Sequence, residues 1–383
     1  MRSIALAILV VCVLIMNSSD AYAYDTLLHL GSEEFVQVGG VDIGVPGYSV
    51  PSFTYWNSDD LPDLVIGQGS GSSTPGKVRV YLNDGNDTEP NFSDFFYAQK
   101  ADGNDLTCTA DGCMGCFPRV VYWDADLRKD LLVGQANGTV KIFLNVGTED
   151  VPVFDDGADV FAGFPGAPLS VGARATPTYL EWDNDNKTDL IVGALDGTIR
   201  LYRNCGCGQS VPPSFMSSPN AGTPIGAINV PSMRSSPVVM DLDGDGKKDI
   251  LTGNTNGELL FYRNIGTDNT PAFSPYSYIE SNGTKIDLSS TRSRPFVCDF
   301  NADGYLDVLI GASDGKVHLY KSIPQPGDID KDYDVDFDDY ALFAQRYRQT
   351  GCGNCGWADL FDDNEVNMLD LWEIVKSWME GLE

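Results

Sequence analysis

The chain has 383 residues and carries 55 Asp and Glu against 25 Lys and Arg, a formal net charge of −30. A surface this acidic repels nucleic acid and anionic lipid, which removes both as partners. The length accommodates one large domain and a small one, and much of the acidic excess sits in short Asp-rich loops, a distribution that points to divalent cations.

Residues 1–23 open with Arg2 and the apolar run IALAILVVCVLIM, turn polar, and end in Ala21-Tyr22-Ala23. This is the pattern of a secretory signal peptide cleaved after Ala23. The run is short for a bilayer span, and no later segment is apolar for long enough. The expectation is a secreted, extracellular protein. Of the nine cysteines, Cys12 leaves with the signal. The rest enter a compartment where disulfides persist. Cys108, Cys113 and Cys116 cluster, as do Cys205 with Cys207 and Cys352 with Cys355. Local disulfides fit better than zinc, because no histidine lies near any cluster, but spacing leaves the connectivity open. Cys298, in the apolar stretch FVCDF, reads as a packed core thiol.

From residue 24 to 322 one pattern recurs. Five segments fall into phase: PSFTYWNSDDLPDLVIG (51–67), PRVVYWDADLRKDLLVG (118–134), PTYLEWDNDNKTDLIVG (177–193), PVVMDLDGDGKKDILTG (237–253) and PFVCDFNADGYLDVLIG (295–311). Their closing glycines lie 67, 59, 60 and 58 residues apart. Each segment leads into a β-rich run ending in Tyr81, Phe143, Tyr202, Tyr262 or Tyr320. These aromatics share one position, which suits inter-blade core. The first four runs continue into NxG and then PNF, PVF, PSF and PAF, taken as fourth strands. Four short strands per repeat predict propeller blades. The fifth unit stops after its third strand, and EEFVQVGG (33–40) is a spare strand that would complete it and seal the ring. The predicted fold is all-β, a five-bladed propeller, followed by a small α-helical domain.

The acidic loop of each unit offers oxygens at alternating positions, the spacing that wraps ligands around one calcium ion. Complete sets are Glu181, Asp183, Asp185 and Asp189; Asp241, Asp243, Asp245 and Asp249; and Asp299, Asn301, Asp303 and Asp307. The bland reading is an Asp-rich turn satisfied by its own hydrogen bonds. Two loops start with Tyr55 or Tyr122 instead of an anion, leaving weaker sets: Asn57, Asp59 and Asp63, and Asp124, Asp126 and Asp130. Trp56, Trp123 and Trp182 share the second loop position, suited to packing beneath the loop or, exposed, to stacking on a sugar. Arg174, Arg234 and Arg292 each precede the proline of a complete unit by three residues, as structural ion-pair partners or as a grip on an acidic ligand. The units resemble FG-GAP/VCBS repeats, the blades of integrin-like propellers, over about residues 33–322. The resemblance implies that the loop joins the first two strands and binds Ca2+.

IPQPG (323–327) forms a linker to a module spanning 328–383. Counting from Asp328, Asp330, Asp332, Asp336 and Asp339 fall at EF-hand-like ligand positions, and helical spacing follows. A second copy 31 residues on supplies Asp359, Asp363, Asn367 and Asp370 as a weaker site, with Phe361 at its third position. Tyr333 stands where such loops favour glycine. Two tandem loop–helix units resemble a type I dockerin. That implies contact with a cohesin-like partner through Phe337 and Asp338 and through Met368 and Leu369.

Catalysis is disfavoured. Only His29 and His318 are present, and neither falls in a nucleophile or zinc motif. The leading expectation is a calcium-binding recognition or adhesion module with a polysaccharide or surface-protein ligand, tethered to an extracellular assembly by its tail. The rivals are a secreted polysaccharide-degrading hydrolase or lyase on a propeller scaffold, and a purely structural surface protein.

Overall fold

The computed structural model describes residues 28–69, 75–109, 114–124, 126–163, 166–206, 213–216, 223–333, 335–361 and 363–380. The signal-peptide assignment therefore lies outside the described residues. The chain divides into two compact units, Leu28–Ile323 and a second that holds everything from Pro324 onward.

The first unit is a five-bladed β-propeller. Blade 1 comprises Ser49–Thr54, Asp63–Gln68, Gly76–Tyr81 and Phe96–Tyr97, in that order across the sheet. Phe117–Val121, Asp130–Gly134, Val140–Phe143 and Ala158–Asp159 form blade 2. Blade 3 is Thr176–Glu181, Thr188–Gly193, Thr198–Tyr202 and Thr223–Asn229. Blade 4 is Ser236–Met240, Asp249–Gly253, Leu259–Tyr262 and Ser277–Tyr278. In blade 5, Arg294–Cys298, Asp307–Gly311 and Val317–Ser322 are joined by the N-terminal strand Leu30–Phe35. That strand runs antiparallel to Val317–Ser322, with Glu33 opposite Tyr320 and Phe35 opposite His318.

The expected strand closure is thus present, but it begins earlier than 33–40. Residues Gln37–Val38 and Val41–Asp42 form a separate small hairpin. A second correction concerns the fourth strands. Phe92, Phe154, Phe215 and Phe273 make only isolated bridges, to Asn83, Asn145, Asn204 and Asn264. In blades 1, 2 and 4 the paired strand starts four residues later, and in blade 3 eight residues later. The physical reason lies in the NxG turn. The Asn145 carboxamide oxygen accepts from Gly147 N and Val153 N, folding the connection back on itself before pairing can begin. Asn83 and Asn264 clamp their loops in the same way.

Each second strand reads as an unbroken apolar run because blades cover it on both faces. Five clusters fill the five inter-blade spaces, and Tyr81, Phe143, Tyr202, Tyr262 and Tyr320 fall one to each. The cluster of Phe53, Leu64 and Ile66 with Leu309, Val317 and Leu319 seals blade 5 to blade 1. Close approach at the same seams explains the periodic glycines. A Cβ on Gly67, Gly134, Gly193 or Gly311 would stand 2.5–2.6 Å from the proline ring of the next blade, at Pro118, Pro177, Pro237 or Pro51. At these four seams recurrent Pro and recurrent Gly are two halves of one contact, while Gly253 meets the Ser293 carbonyl instead.

Cys108 is bonded to Cys116, and Cys205 is also disulfide-bonded. Cys113 and Cys207 lie outside the described residues. Cys298 is the free cysteine among the described ones, and burial pushes its thiol well up.

The second unit contains helices Phe337–Arg346 and Met368–Glu380 around Ile329, Val335, Phe343, Ala358, Val366 and Ile374. Its disulfide joins Cys352 to Cys355. A capping box starts the first helix: Asp336 accepts from Asp338 N, and Asp339 accepts from Asp336 N. No helix among the described residues is long and apolar enough to cross a membrane.

Candidate metal centre

The acidic loops all connect the first and second strands of a blade, so they share one face of the propeller. Their last aspartates, Asp63, Asp130, Asp189, Asp249 and Asp307, do the same work in every blade. One carboxylate oxygen accepts from the backbone N–H at the second loop position, Trp56, Trp123, Trp182, Leu242 or Phe300, at 2.9–3.2 Å. The other accepts from the end of the third strand, at Asn83, Asn145, Asn204, Asn264 or Ser322, at 2.7–2.9 Å. This staple holds three strands together. Burial raises Asp130, Asp189 and Asp249 to about 6 and Asp307 to about 7. It also raises Asp63 and Asp243.

The remaining ligand positions differ between blades. In blade 3, carboxylate oxygens of Glu181, Asp183 and Asp185 come within 4.8 Å of one another, and in blade 4 those of Asp241, Asp243 and Asp249 do so. Glu181 accepts from Asp185 N at 2.8 Å, and Asp241 from Gly246 N at 2.7 Å, so the first residue of each loop turns inward. Lys187 and Lys247 bond Asp185 and Asp245. The Lys187 bond holds Asp185 low, and the Lys247 bond holds Asp245 low against the upward pull of burial. In blade 5, Asp299 accepts from Asp303 N and Gly304 N, and Asn301 donates to Asp303 at 2.9 Å.

One observation separates these three loops from the other two. Asp183 Oδ1, Asp241 Oδ1 and Asn301 Oδ1 are buried with no hydrogen-bond partner. A buried acceptor left unmatched is costly, and each complete loop holds at least one. Oxygen donors of this type and number fit a hard divalent cation such as calcium.

Blades 1, 2 and 5 bring no such acidic trio together among the described residues. Asn57 and Asp59 bond one another, and Lys129 Nζ from the blade 2 loop donates to Asn57 O at 3.0 Å. Arg128 clamps Asp126, and Asp124 accepts from Asp126 N.

In the tail, carboxylate oxygens of Asp328, Asp330 and Asp339 lie within 4.8 Å of one another. Burial, reinforced by the neighbouring carboxylates, raises Asp328 to about 6 and Asp330 to about 7. Asp332 is exposed and Asp336 serves as the helix cap. The second loop repeats the framework: Asp359 accepts from Asp363 N and Asn364 N, as Asp328 does from Asp332 N and Tyr333 N. Asp370 accepts from Leu360 N, Phe361 N and Asn367 N, matching Asp339. Tyr333 and Asn364 both adopt the left-handed backbone that the turn requires, at φ 64° and 63°. Phe337, Asp338, Met368 and Leu369 are exposed on the first turns of the two helices.

Trp56, Trp123 and Trp182 are buried beneath their loops, which overturns the sugar-platform alternative for them. Arg174 is also buried. It donates to Ser235 O and Ser236 Oγ of the next blade and lies over the Phe117 ring, so it is an inter-blade clamp. Arg234 and Arg292 are half-buried. Two partners escaped the sequence reading: Arg203 pairs with Asp183 at 3.3 Å, and Arg263 pairs with Asp243. Their signal was the Tyr-Arg-Asn that ends the third strand only in blades 3 and 4, where blades 1 and 2 have Leu82 and Leu144.

The profile of the FG-GAP-like repeat family matches residues 241–310, from the blade 4 loop through the second strand of blade 5. That match lies within a five-bladed propeller whose other blades repeat the same loop-and-strand pattern. No curated protein matches it in sequence. Among solved structures it is similar to BBS1N in complex with ARL6DN, at 11% identity and TM-score 0.36 over 78% of this chain and 98% of that one. It is similar also to the catalytic domain of the Coprinopsis cinerea GH62 α-L-arabinofuranosidase, at 12% identity and TM-score 0.46 over 77% and 97%. A third is the Photorhabdus luminescens Tc holotoxin pore, at 12% identity and TM-score 0.33 over 76% of this chain and 14% of that one.

Proposed function

We propose that the protein is an exported, calcium-stabilised recognition module. Its propeller would present a face for a glycan or surface-protein ligand, and its dockerin-like tail would tether it to an extracellular assembly through a cohesin-like partner. The observation that carries the calcium reading is the buried, unmatched oxygen in each complete loop, at Asp183, Asp241 and Asn301. Glu181, Asp183 and Asp185, Asp241, Asp243 and Asp245, and Asp299, Asn301 and Asp303 would hold the ions, with the stapled Asp189, Asp249 and Asp307 behind them. Bound calcium supplies positive charge among carboxylates that otherwise repel one another. In the tail, Asp328, Asp330, Asp332, Asp336 and Asp339 would hold one ion at the entry to the first helix.

The disulfides support an oxidising compartment. The exposed Phe337, Met368 and Leu369 support a partner surface on the tail. Metal analysis of the untreated protein, with pulldowns from cell-surface extract by the full chain and by a chain carrying Met368→Asp and Leu369→Asp, tests both halves. Absence of calcium from the purified protein overturns the first half. Identical captures by the two chains overturn the second. Release of reducing ends or unsaturated products from mixed polysaccharides would replace the recognition reading with an enzymatic one.

A further inference from the structure

The first loop position separates the blades chemically. In blades 3, 4 and 5 it is Glu181, Asp241 or Asp299, whose carboxylate turns into the loop to accept backbone N–H groups. In blades 1 and 2 it is Tyr55 or Tyr122, and these rings are 51% and 57% exposed. A neutral phenol replaces the anion there, and the side chain is largely exposed to solvent.

Three features make the pair more than two stray surface aromatics. The blades that carry them are neighbours that share one core cluster, and both positions begin the loop between the first and second strands, on the same face of the propeller. Lys129 ties the two loops together by donating to Asn57 O, while its ammonium also pairs with Glu149 at 2.7 Å. Beneath each tyrosine the adjacent tryptophan is fixed. Trp56 packs on Phe154 at 5.7 Å between ring centroids, and Trp123 packs on Tyr179 at 5.2 Å. The chain that carries each ring is therefore anchored one residue away, and a tyrosine gives contact area at low entropic cost.

We infer that Tyr55 and Tyr122 form a stacking platform for an uncharged polysaccharide chain, with Asn57, Asp59 and Asp124 bonding its hydroxyl groups. This rests on the recognition reading above and names its ligand class and its residues. The apolar C–H face of a sugar ring fits an aromatic face, and its hydroxyls fit carboxylate and carboxamide acceptors at the margin. An anionic polymer would meet Asp59, Asp60 and Asp124, with Lys129 and Arg128 already paired. A protein partner would look for a contiguous apolar patch, whereas here the rings are interleaved with charged and amide groups.

The test uses the full chain in calcium, with affinity electrophoresis and calorimetry against galactomannan, mixed-linkage β-glucan and xyloglucan, and pectate as the anionic control. The variants are Tyr55→Ala with Tyr122→Ala, and Tyr55→Phe with Tyr122→Phe. The expected result is binding to at least one neutral polymer, a loss of tenfold or more in the double alanine variant, and affinity within about threefold in the double phenylalanine variant. Both rings are half-exposed, so the melting temperature should hold and report an intact fold. Equal binding by wild type and the double alanine variant overturns the platform and leaves glycan recognition standing elsewhere. A folded, calcium-loaded wild type that binds none of the neutral polymers, or pectate alone, overturns the platform and this ligand class together.

Discussion

Calcium should stabilise this protein more strongly at alkaline than at acid pH. Asp189 and Asp249 are buried, and burial lifts both from 3.8 to about 6. Asp307 rises to about 7 for the same reason. In each case the folded-state value exceeds the unfolded one. The favourable contribution is therefore complete below about pH 4, and it is lost as pH rises through 6 to 7. A lift of about two units corresponds to roughly 3 kcal/mol for Asp189 and for Asp249, and the larger lift of Asp307 to roughly 4 kcal/mol. Against a whole-domain stability of about 5–15 kcal/mol, that decides whether the metal-free propeller survives. A cation among the ligands removes the penalty, because ionised oxygens then face positive charge. Asp130, raised to about 6 in a loop that holds no unmatched buried oxygen among the described residues, supplies a background common to both conditions. The assay is thermal unfolding followed by tryptophan fluorescence, since Trp56, Trp123 and Trp182 lie under the loops. Melts at about pH 5 and about pH 8, in EDTA and in excess calcium, give the increment due to the ion. The reasoning predicts a larger increment at the higher pH and, in EDTA, a melting temperature that falls as pH rises. An increment equal at both pH values, or none at either, refutes it.

Other expectations separate staple from ligand and seam from strand. Asp130→Ala deprives Trp123 N and Asn145 N of their acceptor, at about 1–3 kcal/mol each. It should lower the melting temperature equally with and without calcium, whereas Asp241→Ala should do so chiefly in calcium. Gly134→Ala drives a methyl group into Ala175 O and the Pro177 ring. The expected loss is about 3 kcal/mol or more, measured by urea denaturation, and a near-neutral effect would contradict the close-approach account of the periodic glycines. Deleting 28–35 removes the fourth strand of blade 5 and exposes the edge at Val317–Ser322. Aggregation and a large drop in melting temperature should follow, and an unchanged monomer would show that the ring closes without it. In the tail, Asp339→Ala removes half of the capping box and a carboxylate of the acidic trio. Helical circular dichroism should fall, and calcium should no longer restore it.

Repetition is what made the fold legible in the linear chain. Five copies of Pro, acidic loop, apolar run and Gly, at nearly constant spacing, leave few architectures open, and the unfinished fifth copy beside a spare N-terminal strand announces closure. The oxygen-bearing positions of the acidic loops were readable for the same reason, since they recur in phase from copy to copy. Three-dimensional packing decided the rest. Only the folded blades reveal that the last aspartate of every loop is committed to two backbone amides contributed by residues up to 20 positions away. Burial of the loop tryptophans and exposure of Tyr55 and Tyr122 follow from which side of a strand end each residue occupies, and one position separates the two outcomes. Why Gly recurs where it does is likewise a property of the neighbouring blade, whose backbone carbonyl at all five seams, and proline ring at four of them, leave no room for a side chain. Periodicity is a local property that a sequence carries in itself. Burial and close approach depend on groups far apart along the chain, and they acquire values only when the ring shuts.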